Sequence, residues 1–234
     1  YLMSVFLGLV RGHTPLVIGE IMMVSGAVQL LSAPVAAWLE TRFDPRLLTA
    51  IGFGMFGIGL LMNGFETSAT DFDGLFWPQV LRGLSIMLCL LPATRLALER
   101  WPESEIPDAS GLFNLMRNLG GAIGIALIDT ILEQRTQGHA DHLIEQLQAG
   151  RIDAAKEVGL PLAQFHNVPL GPIDEITKAI VAPLVKKAAL AESFNEAWIA
   201  IAILFAISLL ALPLMKRAHI PDTAMGPGTD RTFH

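Results

Sequence analysis

Apolar residues run along this chain in five long blocks: Thr14 to Leu39, Arg46 to Phe65, Leu75 to Leu98, Pro107 to Leu132 and Ala197 to Met215. Each block has the length, about twenty residues of helix, that crosses a hydrocarbon core of about 30 Å. A water-facing helix would carry a polar side, and these blocks have none of any width. The pattern therefore predicts an all-α membrane protein. Tyr1 to Val10 is apolar but too short to cross, and it lacks the basic start of a signal peptide. It reads as the second half of a first span whose beginning is cut away. Pro34 and Pro92 fall inside blocks and predict kinks, which membrane helices tolerate where neighbours satisfy the freed backbone. The expected organisation is a membrane part over residues 1–132, with a partial first span and four whole ones. A long external loop with short amphipathic helices follows over 133–192, then a last span over 193–217 and a disordered tail over 218–234.

Composition agrees with lipid as the solvent: 52% of residues are hydrophobic and 16% charged, against roughly 25% charged in an ordinary soluble domain. Mean hydropathy is +0.50. Lysine and arginine in short connections mark the cytoplasmic side. Arg42 and Arg46 follow the second span, Arg95 and Arg100 close the fourth, and Lys216 and Arg217 follow the last. The connection Glu66 to Gly74 holds Glu66, Asp71 and Asp73 and no basic residue. Arg11 to His13, Glu66 to Gly74 and the stretch after Leu132 are thus expected outside, and the C-terminus inside; Arg11 alone argues against this. In the long loop, prolines stand at 161, 169 and 172, and His139 to Gln148 and Ile173 to Leu190, the latter interrupted by Pro183, look helical. Cys89 stands alone in the fourth span, so no disulfide or cysteine metal site is expected. His139 and His142 with Asp141 and Glu145 are too few for a metal site to be expected.

Chemistry in a membrane chain lies in what lipid should have excluded, because a charge near the bilayer centre costs roughly 3 kcal/mol. Arg117 is the clearest case, about ten residues or 15 Å into its helix. Ser110, Asn114, Asn118 and Gly121 share its side at spacings of three and four. This stripe either lines a substrate path or clamps a neighbouring helix. Ser25, Gln29 and Ser32 form a similar stripe on the second span, with the same two readings. Glu20, turned about 140° from that stripe, is the candidate proton carrier, against a plain interfacial carboxylate. Arg82 lies on the side of Gln79, Ile86 and Cys89 and reads as a structural charge, and Asp129 reads as interfacial. Gly52, Gly54, Gly57 and Gly59 crowd the third span, and Gly120, Gly121 and Gly124 form a second set for close helix packing.

Three passages carry a resemblance. Ala37-Trp38-Leu39-Glu40-Thr41-Arg42-Phe43-Asp44-Pro45-Arg46 is similar to the cytoplasmic-loop pattern G-x-L-x-D-R-x-G-x-R of the major facilitator superfamily. Leu39, Arg42 and Arg46 match it; Ala37 and Asp44 replace its glycines and Thr41 its aspartate. Ala109 to Gly124 looks like A-S-x-x-x-N-x-x-R-x-x-G-x-x-G, the penultimate helix of the fourteen-helix drug/proton antiporter branch of the EmrB/QacA type. The third passage is the long external loop before a last span and short tail. Gln79-Val80-Leu81-Arg82-Gly83 also resembles the start of the corresponding fourth helix. The resemblance covers nearly the whole chain.

It implies the C-terminal six-helix bundle of such a transporter, with its first helix truncated, working by alternating access about a midplane site. It implies export of amphipathic or cationic compounds across a bacterial inner membrane, with a proton gradient as energy source and no cofactor. The implied partners are a small drug-like molecule, the lipid bilayer, the N-terminal half of the same chain, and a periplasmic adaptor with an outer-membrane channel. No nucleic acid is expected. The usual proton-coupling carboxylates belong to the first half. A metabolite or nutrient transporter, or a non-transporting membrane sensor or assembly subunit, are the alternatives. No H-E-x-x-H, G-x-S-x-G or comparable nucleophile arrangement occurs, so no catalytic residue and no enzyme are expected.

Overall fold

In the computed structural model the described residues are 1–98, 101–160 and 175–214, with side chains over 180–213 in the last of these. Among the described residues seven α-helices follow one another: α1 (Leu2–Leu9), α2 (Pro15–Glu40), α3 (Pro45–Asn63), α4 (Phe72–Leu98), α5 (Ile106–Gln148), α6 (Ile152–Val158) and α7 (Glu175–Ala211). No strand occurs among the described residues. Five helices, α2 to α5 and α7, are long and apolar enough to cross a membrane. The expected prolines at 161, 169 and 172, together with Arg100, Lys216, Arg217 and the tail, lie outside the described residues.

Local chemistry explains the helix starts. Pro15 and Pro45 each occupy the first helical turn, where the missing N–H is no loss. Asp44 caps α3, its carboxylate accepting the Arg46 N–H at 2.9 Å. Thus the residue that departs from the loop pattern has a structural task. Helix α4 is the hub, packed between α2 and α3, and α7 packs on α3 and α5. Close approach requires glycine at Gly52 and Gly83. A Cβ on Gly52 would lie 2.8 Å from Cys89 N and Leu88 C, and one on Gly83 would lie 2.7 Å from Ser25 O. The main core gathers Phe6, Leu7, Ile21, Leu60, Leu75 and Trp198. The rings of Phe6 and Phe194 meet edge to face at 5.4 Å.

Two boundaries differ from the sequence reading. Helix α5 does not end near Leu132 but continues to Gln148, and at about 1.5 Å per residue its 43 residues extend about 65 Å, twice a bilayer core. Helix α7 runs without a break through Pro183 into the last apolar block. The described part of the expected loop is therefore a helical extension with its own core, in which Leu143 and Leu147 of α5 meet Ala154, Ala155 and Val158 of α6 and Val185, Ala188 and Ala189 of α7. Falling hydropathy marks where apolar side chains stop, not where backbone hydrogen bonds stop, and an amphipathic stretch continues a helix once it has a partner.

Charged side chains gather at both ends of the apolar helices. At one end Arg11 Nη2 meets Asp71 Oδ2 at 2.7 Å, Arg11 Nη1 donates to Ser68 O at 3.1 Å, and His13 Nε2 lies 3.1 Å from Asp71 Oδ1. The Arg11 guanidinium holds the Asp71 carboxyl below the usual carboxylate range. Arg11, the one basic residue against the expected orientation, is thus neutralised by its neighbour. At the other end Arg95 Nη1 donates to Glu40 O at 3.3 Å, and the Arg42 guanidinium lies 5.0 Å from the Trp38 ring centroid. The connection holding Arg42 and Arg46 lies at the same end as Arg95, where Glu103 and Glu105 also follow α4, and the acidic connection with Glu66, Asp71 and Asp73 lies at the other end.

Candidate functional site

Among the described residues, helix α5 presents its polar stripe without a partner on another helix. No residue from 106 to 127 is buried among the described residues. Asn114, Arg117 and Asn118 are exposed, and Asn114 Nδ2 donates to Ser110 O at 3.1 Å within the helix. A Cβ on Gly120, Gly121 or Gly124 would meet nothing within 4 Å. The close packing expected of those glycines is not made by the described residues; Gly52, Gly59 and Gly83 make it instead. Leu112, Leu115, Met116, Leu119 and Ile123 complete an exposed surface on α5.

The stripe on α2 has a different setting. Ser32 is buried, with its Oγ donating to Gln29 O at 3.0 Å and lying 3.3 Å from Gly83 O of α4. Ser25 Oγ donates to Met22 O at 2.9 Å, and its own carbonyl lies over Gly83. Ser25 and Ser32 thus border the α2–α4 contact, with Gln29 half-buried between them. Glu20 is exposed on the far side of α2, and Leu16, Met23, Leu30, Leu31, Val35 and Trp38 are exposed along the same helix. The structure does not bring Glu20 to the α5 stripe.

A polar group that sequence reasoning did not assemble lies where α3, α4 and α7 meet. Asn63 at the end of α3 and Gln79 in α4 are fully buried, Glu66 in the α3–α4 connection is 7% exposed, and Trp198 of α7 is 2% exposed. The Arg82 guanidinium stacks 5.1 Å from the Trp198 ring centroid. Gly59 makes room for its stem: a Cβ there would lie 2.9 Å from Arg82 Cγ. Burial pushes Glu66 up to about 8, against the opposing pull of Arg82. The connection of residues 64–71 joins α3 and α4 as packed neighbours, and with Asn195 of α7 holding Glu66 it brings Asn63 and Glu66 toward the Gln79–Arg82 turn. The available signal was the pair of polar residues three apart in an apolar helix, Gln79 and Arg82, facing a chain segment with Asn63 and Glu66.

In the extension, His139 is held between Glu192, at 2.7 Å from Nδ1, and Glu196, at 3.0 Å from Nε2. Arg135 grips Glu196 with Nε at 2.6 Å and Nη2 at 2.7 Å. His142 pairs instead with Gln146 at 2.7 Å. Among the described residues no cluster of three or more histidine, cysteine or acidic side chains suits a metal ion.

Residues 1–134 match the model of the Major Facilitator Superfamily. The chain belongs to this superfamily. As a superfamily member with several membrane-length apolar helices, it is an integral membrane protein. It is 34% identical to the "Colistin resistance protein EmrB" of Acinetobacter baumannii over 93% of its own length and 42% of that protein. It is 26% identical to the "Probable multidrug resistance protein EmrY" of Escherichia coli K12, over 87% of its length and 38% of the relative. With the "Multidrug export protein EmrB" of the same strain it shares 25% identity over 59% of its length and 27% of the relative. The chain thus spans about two fifths of the longer-matched relatives. The EmrB and EmrY likeness is the branch that the Arg117 helix pointed to.

Proposed function

We propose that this chain works as the C-terminal half of a proton-coupled multidrug exporter. In this reading it moves amphipathic or cationic compounds out of the cell by alternating access, with another part of a longer protein covering the exposed faces of α2 and α5. The observation that carries the reading is the unpartnered α5 face. An arginine and two asparagines on an otherwise apolar membrane helix are too expensive to leave against lipid. A face that must be covered yet stay polar suits a path between two helical bodies. The resistance and export names of the relatives support the same activity.

In this mechanism Arg117, Asn114 and Asn118 supply donors and acceptors to a substrate held mainly by apolar walls, which suits many ligands at modest affinity. Ser25, Ser32 and Gly83 keep α2 and α4 together as one body. The end bearing Arg42, Arg46 and Arg95 is taken as cytoplasmic, together with the C-terminus, and the end bearing Glu66, Asp71 and the α5–α6–α7 extension as external, in a bacterial inner membrane. A periplasmic adaptor and outer-membrane channel then receive the substrate. No cofactor is invoked.

Arg117→Ala in the full-length protein is expected to lower drug efflux from cells by at least about tenfold, the scale of a lost charged contact, at unchanged membrane abundance. The check is efflux of a drug panel with and without a protonophore, alongside an abundance blot. Wild-type efflux in the mutant would return Arg117 to helix packing. A wild type that exports nothing in the panel would shift the reading to a metabolite transporter.

A further inference from the structure

We propose that Glu66 is a proton-exchange site of this half, with Arg82 as its countercharge and the cavity beside α6 as its approach from water. The inference deepens the proposed function and rests on it for direction: the external end is where protons enter an antiporter driven by an inward gradient.

The geometry is that of a built site. A cavity of about 510 Å³ is lined by Glu66, Thr67 and Ser68, by Lys156 and Glu157 of α6, and by Glu192 of α7. Glu66 lies at its border, yet both carboxyl oxygens are buried and have no hydrogen-bond partner among the described residues. Its backbone does not float. Asn195 of α7 accepts the Glu66 N–H at 3.1 Å and donates to its carbonyl at 2.7 Å, so the main chain that carries the carboxyl is tied to α7. Behind it, Asn63 Nδ2 and Oδ1, Gln79 Nε2 and Oε1, Arg82 Nε and Trp198 Nε1 are likewise buried without a hydrogen-bond partner among the described residues. So many unpaired polar atoms in a native interior call for an explanation, and a carboxyl that changes state among them provides one.

Two opposed forces act on that carboxyl. Burial and the C-terminal end of α3, whose cap is Gly64, favour the neutral acid. Arg82, which keeps its charge in ordinary conditions, favours the anion. The balance leaves Glu66 titrating near neutrality, where neither form is locked. On release, the O–H bond breaks, the proton passes to water in the cavity, and the electron pair stays on a carboxylate that Arg82 neutralises. Uptake is the reverse. The other charged groups around the cavity are Asp153, Lys156 and Glu157 of α6 and Glu192 of α7. Arg11 touches the same connection at Ser68 but is engaged with Asp71. Burial and then Glu192 push Glu157 up to about 7, so the test must separate it from Glu66.

The full-length protein is reconstituted in liposomes and titrated by infrared difference spectroscopy from about pH 6 to about pH 10, two units either side of the Glu66 value. A protonated-carboxyl band should disappear across this range in wild type and in Glu157→Gln, and be missing that component in Glu66→Gln. In the same liposomes, transport of ethidium, a cationic amphipathic dye, is measured uphill under a pH gradient and as equilibrium exchange without one. Glu66→Gln should lose at least about tenfold in gradient-driven transport while exchange stays within about twofold, because only the coupling step is removed. Retention of the band component in Glu66→Gln, or gradient-driven transport at the wild-type rate, overturns the proposal. A wild type with the band but without ethidium transport of either kind overturns the exporter reading, and the coupling role with it.

Discussion

Gly52→Val in the full-length protein is expected to destabilise the α3–α4 pair by several kcal/mol and to remove most of the protein from the membrane fraction. The Cβ alone would lie 2.8 Å from Cys89 N and Leu88 C, and those are backbone atoms of α4 that no rotamer change can move aside. Overpacking a tight contact costs about 1–3 kcal/mol where side chains can adapt, and here the helix axes must separate instead. Because α4 also packs on α2, the separation would spread to the Ser25–Gly83 contact. Gly54→Val is the control. It places the same residue in the same helix, with the same propensity penalty, where a Cβ meets nothing within 4 Å. Thermal denaturation in detergent and membrane abundance measure both variants. Equal effects at 52 and 54 would mean that glycine at 52 does not set the helix approach.

The second large effect is a stability difference that depends on pH. Glu66 has a folded value of about 8 against an ordinary 4.5. Between these two values the unfolded chain has released its proton while the folded protein keeps it, so stability falls as pH rises through this window and is level above it. At about 1.4 kcal/mol per unit the loss amounts to a few kcal/mol for a carboxyl this deeply buried. Glutamine carries no such penalty. Glu66→Gln should therefore melt higher than wild type at about pH 9 and lose that advantage as pH falls toward 4.5. A mutant advantage that grows on acidification would contradict the placement of a neutral carboxyl in this interior.

The five apolar blocks were legible because hydropathy is the signal a bilayer reads, and each block became one helix. The ends of α5 and α7 were not, since nothing in hydropathy reports that Leu143 and Leu147 find Ala155 and Val185 as partners. The α5 stripe was legible as one face from its spacing, and the structure leaves that face exposed. Ser25, Gln29 and Ser32 were legible as a stripe too, but only tertiary structure tells that it borders α4, where Gly83 lets the backbones meet. The Asn63–Glu66–Gln79–Arg82–Trp198 group was out of reach for a different reason. Its members come from three helices and a connection; Gln79 and Arg82 were legible as one side of the fourth span, but what they face was not. Asp44 shows the converse, a departure from a motif that the local geometry explains as a helix cap.

In the proposed exporter the α5 face lines a water-accessible path between two helical bodies. The direct test places cysteine at Asn114 in full-length protein carrying Cys89→Ala, with Leu112→Cys, turned about 160° away on the helix, as the comparison. A membrane-impermeant thiol reagent is applied from each side of reconstituted vesicles, with the pH gradient in either direction. Labelling is expected at 114 from water, on a side that changes with the direction of the gradient, with little labelling at 112. Labelling at 114 from neither side, or equally at both positions whatever the gradient, would contradict such a path.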